Sequence, residues 1–354
     1  MSTFPEPLPG APEESPSSLQ EDSDSSDPLS PANTSAPPAE WTGTPEGITP
    51  ESTGSLADIG AALPPADETA HQPIFAHYAA PPAPSEERIP HVGHVALLGL
   101  LVVFGLIGTF MLVPLALHFH LFGISAISQA ATDYRYALGS QAIQYFITFA
   151  GSLIVFPLIW RKPFFEGIHW HADTARQRMG RLVSVAVLCF FVAIVNGMLM
   201  PGPTNAPIDQ LFHAPGAAWV LFLFGVTVAP FFEEMAFRGF LLPSLSTAYD
   251  WTVKQLTGVP RRPLDEFDNP QWSLPAMIVA SLVTSVPFAL MHGAQTSWSL
   301  GPFLLLIFVS LMLCWVRLNT RSLAASTVVH ATYNFMLFSF MLLGTGGFKH
   351  LDKM

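Results

Sequence analysis

Charge is what this 354-residue sequence has least of. Only 12% of its residues are Asp, Glu, Lys or Arg, while 50% are hydrophobic. A water-soluble domain carries about 25% charged residues, so a wholly soluble globular fold is excluded. Cysteine is scarcer still. Cys189 and Cys314 both lie in apolar runs with no metal-spaced partner, and they read as small buried hydrophobes rather than a disulfide or a nucleophile. No run of Lys and Arg interleaved with aromatics is present, which removes the electrostatic footprint of a nucleic-acid binder. The first residues lack the basic and apolar regions of a secretory signal. There is no internal repeat.

The acidity implied by the net charge of −11 is local. Residues 1–90 hold 15 of the 26 acids, one of the 15 basic residues and 18 of the 33 prolines. Such a segment buries too little apolar surface to offset its chain entropy. Residues 1–90 are therefore expected to be a disordered acidic, Pro/Ser-rich tail. Residues 91–354 carry 11 acids and 14 bases.

Seven apolar segments follow Pro90, each near the ~20 residues needed to cross a bilayer. They run over about 92–117, 141–160, 182–200, 217–242, 274–291, 303–316 and 322–343. The expected fold is all-α: a polytopic membrane bundle of about seven transmembrane helices behind the tail. Its N-terminal helices occupy 91–216, a catalytic region occupies 217–343, and a short C-terminal tail occupies 344–354. The sixth segment is short enough to be tilted or re-entrant. The connection 243–273 reads as a long loop or an amphipathic helix on the membrane.

Loop charge gives an orientation. Arg161, Lys162, Arg176, Arg178 and Arg181 follow segment 2. Lys254, Arg261 and Arg262 follow segment 4, and Arg317 and Arg321 follow segment 6. The intervening loops hold only Arg135, and Lys349 and Lys353 lie at the C-terminus. Counting Arg88, the contrast is 11 against 3, which places the N-terminus and the basic loops in the cytoplasm. The expected location is an integral membrane protein of the plasma membrane.

Ionisable residues inside apolar segments are costly and point to function. They are concentrated in three places. Segment 4 contains Phe231-Phe232-Glu233-Glu234-Met235-Ala236-Phe237-Arg238. Segment 5 ends Phe288-Ala289-Leu290-Met291-His292, and segment 7 contains His330-Ala331-Thr332-Tyr333-Asn334. On a helix, Glu234 and Arg238 stack four apart as an ion pair, while Glu233 points about 100° away. His330 and Asn334 share a face, as do Phe288 and His292. Turning Glu233, His292, His330 and Asn334 inward makes one polar cavity. A carboxylate there, tuned by burial and by its neighbour, can act as a general base on water.

Glu-Glu-x-x-x-Arg, Phe-x-x-x-His and His-x-x-x-Asn, in order on separate membrane helices, resemble the CAAX prenyl protease and bacteriocin-processing (CPBP, or ABI) family of intramembrane proteases. The likeness covers about 217–343. It implies an endopeptidase that hydrolyses a peptide bond of a membrane-associated, CAAX-type or related substrate. In its terms Glu233 is the general base and Glu234 supports it. Arg238 holds the glutamate pair, His292 orients the water, and His330 with Asn334 stabilises the oxyanion. The resemblance also carries the name metalloprotease. Glu233, His292 and His330 are candidate ligands for a Zn2+ with an open position, and the same groups can equally form a metal-free glutamate–water site. The implied partners are the lipid bilayer and a peptide or lipidated protein, with no nucleic acid. The alternative is a non-proteolytic scaffold or regulatory protein of the same family. Six further histidines, His91, His94, His118, His120, His169 and His171, fall at segment ends or loops, where hydration suffices.

Because the tail holds none of the motif residues, a chain starting near Arg88 is expected to insert and keep its activity. Measuring membrane insertion and turnover of that truncation checks this, and a failure to insert would show that the tail is more than a spacer.

Overall fold

The computed structural model describes residues 88–200 and 216–348. The tail expected over 1–90 lies outside them up to residue 87. So do residues 201–215 of the loop after segment 3 and residues 349–354 of the C-terminal tail. Among the described residues there is no strand. Seven helices are long and apolar enough to cross a membrane. They are α1 (Val92–His118), α2 (Tyr134–Trp160), α3 (Met179–Leu199), α4 (Ala217–Thr257), α5 (Leu274–Met291), α6 (Leu300–Thr320) and α7 (Leu323–Gly344). Their outward faces are apolar, as on α1, where Leu100, Phe104, Phe110 and Met111 are exposed. This is the surface of an integral membrane protein.

The bundle has two halves joined by α4 and α7. Helices α1 and α2 pair along their length. A Cβ on Gly105 of α1 would stand 2.9 Å from the Gln144 carbonyl oxygen of α2, so this approach requires glycine. Helices α3, α6 and α7 share a core of Leu182, Ala186, Cys189, Val309, Leu313, Ala325 and Val329. Both cysteines are buried and free, as their apolar surroundings predict. Phe156, Trp160, Phe164 and Phe240 form an aromatic core between α2, the 2–3 loop and α4.

Three segments are longer than expected. Segment 2 begins at Tyr134 rather than at 141, and segment 6 is a full 21-residue helix rather than a short one. Segment 4 runs 15 residues past Leu242, so the first half of the 243–273 connection is helix, the second of the two forms expected of it. At 41 residues α4 is about 61 Å long, twice the ~30 Å hydrocarbon core. Its last turns are amphipathic, burying Ser246, Thr247 and Asp250 while exposing Trp251 and Leu256.

Helix α4 is continuous but not regular. It widens to π-helix over Phe224–Val228 and again over Met235–Leu241. Prolines explain both. Pro230 and Pro243 each sit two residues past a π segment. Each lacks an N–H, and its ring crowds the carbonyl four residues back. A π-bulge relieves that crowding by inserting one residue into the turn.

The register of α5 against α4 follows from one clamp. Ser273 caps α5, and the Asp250 carboxylate accepts from its Oγ at 2.5 Å and its N–H at 3.0 Å. Trp272 Nε1 donates to Thr247 Oγ1 at 3.0 Å beside it. From this point the antiparallel helices run side by side. Glu233 lies 17 residues before Asp250, and His292 lies 19 residues after Ser273. At 1.5 Å per residue the arms are about 26 and 29 Å. The length of α4 therefore brings two residues to one level that a 217–242 helix would have left at opposite ends.

On the basic-loop face, backbone bonds fasten the 2–3 loop to the start of α7. Leu323 N–H donates to His169 O at 2.9 Å, and Ser322 Oγ to His171 O at 2.8 Å. His169 is buried here, contrary to the expectation of hydration at a loop. Burial first, and the nearby Arg317 charge second, push its imidazole down to about 3, so it is neutral. His94 is also buried, with Trp160 Nε1 donating to its Nε2 at 3.1 Å.

If the Asp250–Ser273 clamp sets the register, Asp250→Ala should destabilise the fold by about 1–3 kcal/mol and lower turnover without touching the site. Thermal unfolding in detergent and an activity assay measure the two. A stability loss with full activity in the surviving protein would show that register is held elsewhere.

Candidate active site

The polar motifs meet where α4, α5 and α7 converge. Glu234 and Arg238 are both completely buried and pair at 2.9 Å, the expected four-residue ion pair. The Arg238 guanidinium also donates to Ser310 of α6, at 2.7 Å to Oγ and 3.1 Å to the carbonyl. It lies 4.5 Å over the Phe288 ring, a cation–π contact. The Glu234 Oε1 that holds Arg238 also accepts from His330 Nδ1 at 3.1 Å. One buried carboxylate thus ties α4 to α7, and its arginine ties α4 to α6.

Glu233 faces the other way, as the 100° rotation predicts. Its Oε2 stands 3.8 Å from His292 Nε2 and 3.7 Å from His330 Nε2. These exceed hydrogen-bond length. The tautomers follow from the other ring nitrogens. His330 Nδ1 faces a carboxylate and His292 Nδ1 faces the Phe288 carbonyl at 2.9 Å. Neither oxygen can donate, so both Nδ1 atoms carry the proton. Each ring therefore turns its Nε2 toward Glu233. The carboxylate and the two Nε2 atoms face one another just beyond direct hydrogen-bond length.

Asn334 has a second task that the motif does not reveal. Its Nδ2 donates to Gly225 O at 2.8 Å. In the first π segment Ala229 N–H bonds Phe224 O, and the next donor in line would come from Pro230, which has none. Asn334 supplies it. One amide hydrogen is thereby committed to α4 and one remains for the cavity. Gly225 is required at this contact, since a Cβ there would lie 2.9 Å from the Phe338 ring of α7.

These groups line an open cavity of about 530 Å³. Glu233, His292, His330 and Asn334 all reach it, and Glu234 and Arg238 stand behind the wall. Sequence reasoning missed Gln141 and Tyr145, one turn apart on α2. Both line the cavity opposite the motifs. Tyr145 stacks on Phe232 at 4.4 Å and more distantly on Phe224 at 6.0 Å, which fixes the plane of the phenol. Its hydroxyl is within electrostatic reach of the Glu233 carboxylate. The only sequence signal was polar Gln141 and Tyr145 at helical spacing near the start of an apolar span.

The 3.7 and 3.8 Å separations are slightly wider than the about 3.3–3.6 Å between ligands held at 2.0–2.2 Å around tetrahedral zinc. Among the described residues no group of three His, Cys, Asp or Glu side chains is arranged to hold a metal ion.

The seven-helix membrane bundle thus brings a carboxylate and two imidazoles together on one cavity. The comparison with known families gives the type. Residues 215–336 match the family described as type II CAAX prenyl endopeptidase Rce1-like, and carry such a domain. The match spans α4 to most of α7 and supports a CAAX-type intramembrane protease of the CPBP group. No curated protein and no solved structure matches the chain.

Arg238→Ala should be the most damaging change behind the wall. It leaves Glu234 buried with an uncompensated charge, at a cost of about 3–5 kcal/mol. Abundance in the membrane and thermal stability are expected to fall together with activity. Normal abundance would mean that the pair is not holding the helices.

Proposed function

We propose that the protein cleaves a peptide bond with a water activated by Glu233. The observation that carries this reading is the triangle of Glu233 Oε2 and the two Nε2 atoms, with both Nδ1 atoms committed elsewhere. A water on the cavity side of this triangle, out of its plane, donates to Glu233 and to one imidazole, leaving an oxygen lone pair free for attack. As the oxygen bonds the scissile carbonyl carbon, Glu233 takes its proton. The carbonyl π pair moves onto oxygen, and the free Asn334 amide hydrogen is placed to stabilise it. Collapse breaks the C–N bond, and protonated Glu233 returns its proton to the leaving amine. His292 and His330 hold the water, and Glu234 holds His330.

The basic loops and the N-terminus face the cytoplasm in this reading. Its support is the loop contrast of 11 cations against 3.

Glu233→Gln keeps the shape and removes the base, so turnover should fall by about 10² or more while insertion persists. His292→Ala should be similarly severe. Asn334→Ala should cost about 10²–10³ and also loosen α7 from α4. Chelator should leave turnover intact. The assay is cleavage of a peptide panel by purified protein, and a fully active Glu233→Gln would end this mechanism.

A further inference from the structure

The position and lining of the cavity bear on its substrate. Its wall is built from the first turns of α2 (Gln141, Tyr145) and α4 (Phe224, Gly225), the residues just past α5 (Ala294, Gln295), and the second half of α7 (Asn334, Phe338). These are the helix ends joined by the 1–2, 3–4 and 5–6 connections. The basic loops 2–3, 4–5 and 6–7 join the opposite ends. The cavity therefore lies in the half of the bundle nearer the face poor in cations. The single cation in the 1–2 connection, Arg135, is neutralised by Asp133 at 2.6 Å. By the positive-inside asymmetry that face is the non-cytoplasmic one.

The lining adds a second, independent constraint. Among the described residues, no Lys or Arg lines the cavity. Arg238 is sealed behind Glu234 and Ser310. A free C-terminal carboxylate brought near Glu233 would meet a like charge and no counter-ion, and desolvating it unpaired costs several kcal/mol. An internal peptide segment carries no such charge. Its main-chain N–H and C=O groups need amide and hydroxyl partners, and Gln141, Tyr145 and Gln295 present these on an otherwise largely apolar wall.

We infer that the substrate is an internal, uncharged segment of a membrane-anchored polypeptide, presented at the leaflet opposite the basic loops, rather than a free C-terminus offered from the cytoplasm. This inference rests on the proteolytic reading of Glu233 and narrows it. The hydrolytic step is unchanged. Gln141 and Gln295 bind the main chain flanking the scissile bond. The Tyr145 hydroxyl, held flat on Phe232, is a second hydrogen-bond donor beside the half-committed Asn334.

Two experiments on the full chain test it. In the first, Gln295→Cys is labelled with a membrane-impermeant maleimide in intact cells and in inverted vesicles. Cys189 and Cys314 are buried and give little background. Labelling from the outer side is expected, and labelling only from the cytoplasmic side would overturn the inference whatever the substrate. In the second, purified protein is given paired peptides differing only in a C-terminal acid or amide, with the cleavable bond near the end or ten residues inside. Cleavage of the internal bond, indifferent to acid or amide, is expected. Tyr145→Phe should lower kcat about tenfold or more with little change in KM, while Gln141→Ala should raise KM. A strong preference for the terminal acid would overturn the inference while leaving the protease intact. Undiminished cleavage by Glu233→Gln would instead overturn the protease reading, and no cleavage of any peptide by the unaltered protein would overturn both.

Discussion

The structure depends on one carboxylate oxygen. Glu234 Oε1 accepts from Arg238 at 2.9 Å and from His330 at 3.1 Å with no exposure to solvent. In a bilayer an unpaired charge at this depth would be prohibitive, so the pair has to form within the helix, and the four-residue spacing allows it. The consequence reaches further than stability. By taking the Nδ1 proton of His330, Glu234 decides which ring nitrogen faces Glu233. The charge that holds the helices together also orients the imidazole that faces Glu233, as carboxylates behind imidazoles do in other polar sites.

The two prolines of α4 supply the irregularity that the site uses. A regular helix would leave no carbonyl free at Gly225. The Pro230-linked π segment frees it, and Asn334 of α7 fills the gap. The second π segment contains Arg238 and Gly239, packed against α6 and the start of α7. The widened turns thus present Gly225 and Arg238 to their partners, while Glu233, Glu234 and Asp250 stand on regular turns.

Much of this was legible in the residues. Segment 5 has the boundaries read from hydropathy, and segment 7 is displaced by a single residue, because apolar runs end abruptly at polar caps such as Ser273 and Ser322. The Glu234–Arg238 pair and the opposite aim of Glu233 follow from helix geometry alone. Other features depended on distant partners. The length of α4 was hidden because Leu242–Thr257 is amphipathic, and an amphipathic helix in the connection carries no local sign that it continues segment 4. The depth conflict between Glu233 and His292 resolves only through Asp250 and Ser273, a contact between residues 23 apart on different helices. Gln141 and Tyr145 lie about 90 residues from Glu233, and nothing local marks them. Asn334's bond to Gly225 spans 109 residues.

Adjacent glutamates on one helix divide two incompatible demands. A charge that holds a membrane bundle together must be paired, because an uncompensated charge in low dielectric is costly. A charge that removes a proton from water must lack such bonds, because a direct ion pair would make it a poor base. Glu234 Oε1 has two donors, and its basicity is spent on structure. Glu233, one residue and about 100° away, has no direct partner closer than 3.7 Å. Its two imidazole neighbours stand just beyond hydrogen-bond length, which leaves the carboxylate available to a donor that arrives from the cavity. The helix turn separates the two roles in space, while His330, bonded to one glutamate and facing the other, joins them. In the proposed mechanism, proton removal at Glu233 is therefore coupled to the integrity of the bundle through a single imidazole.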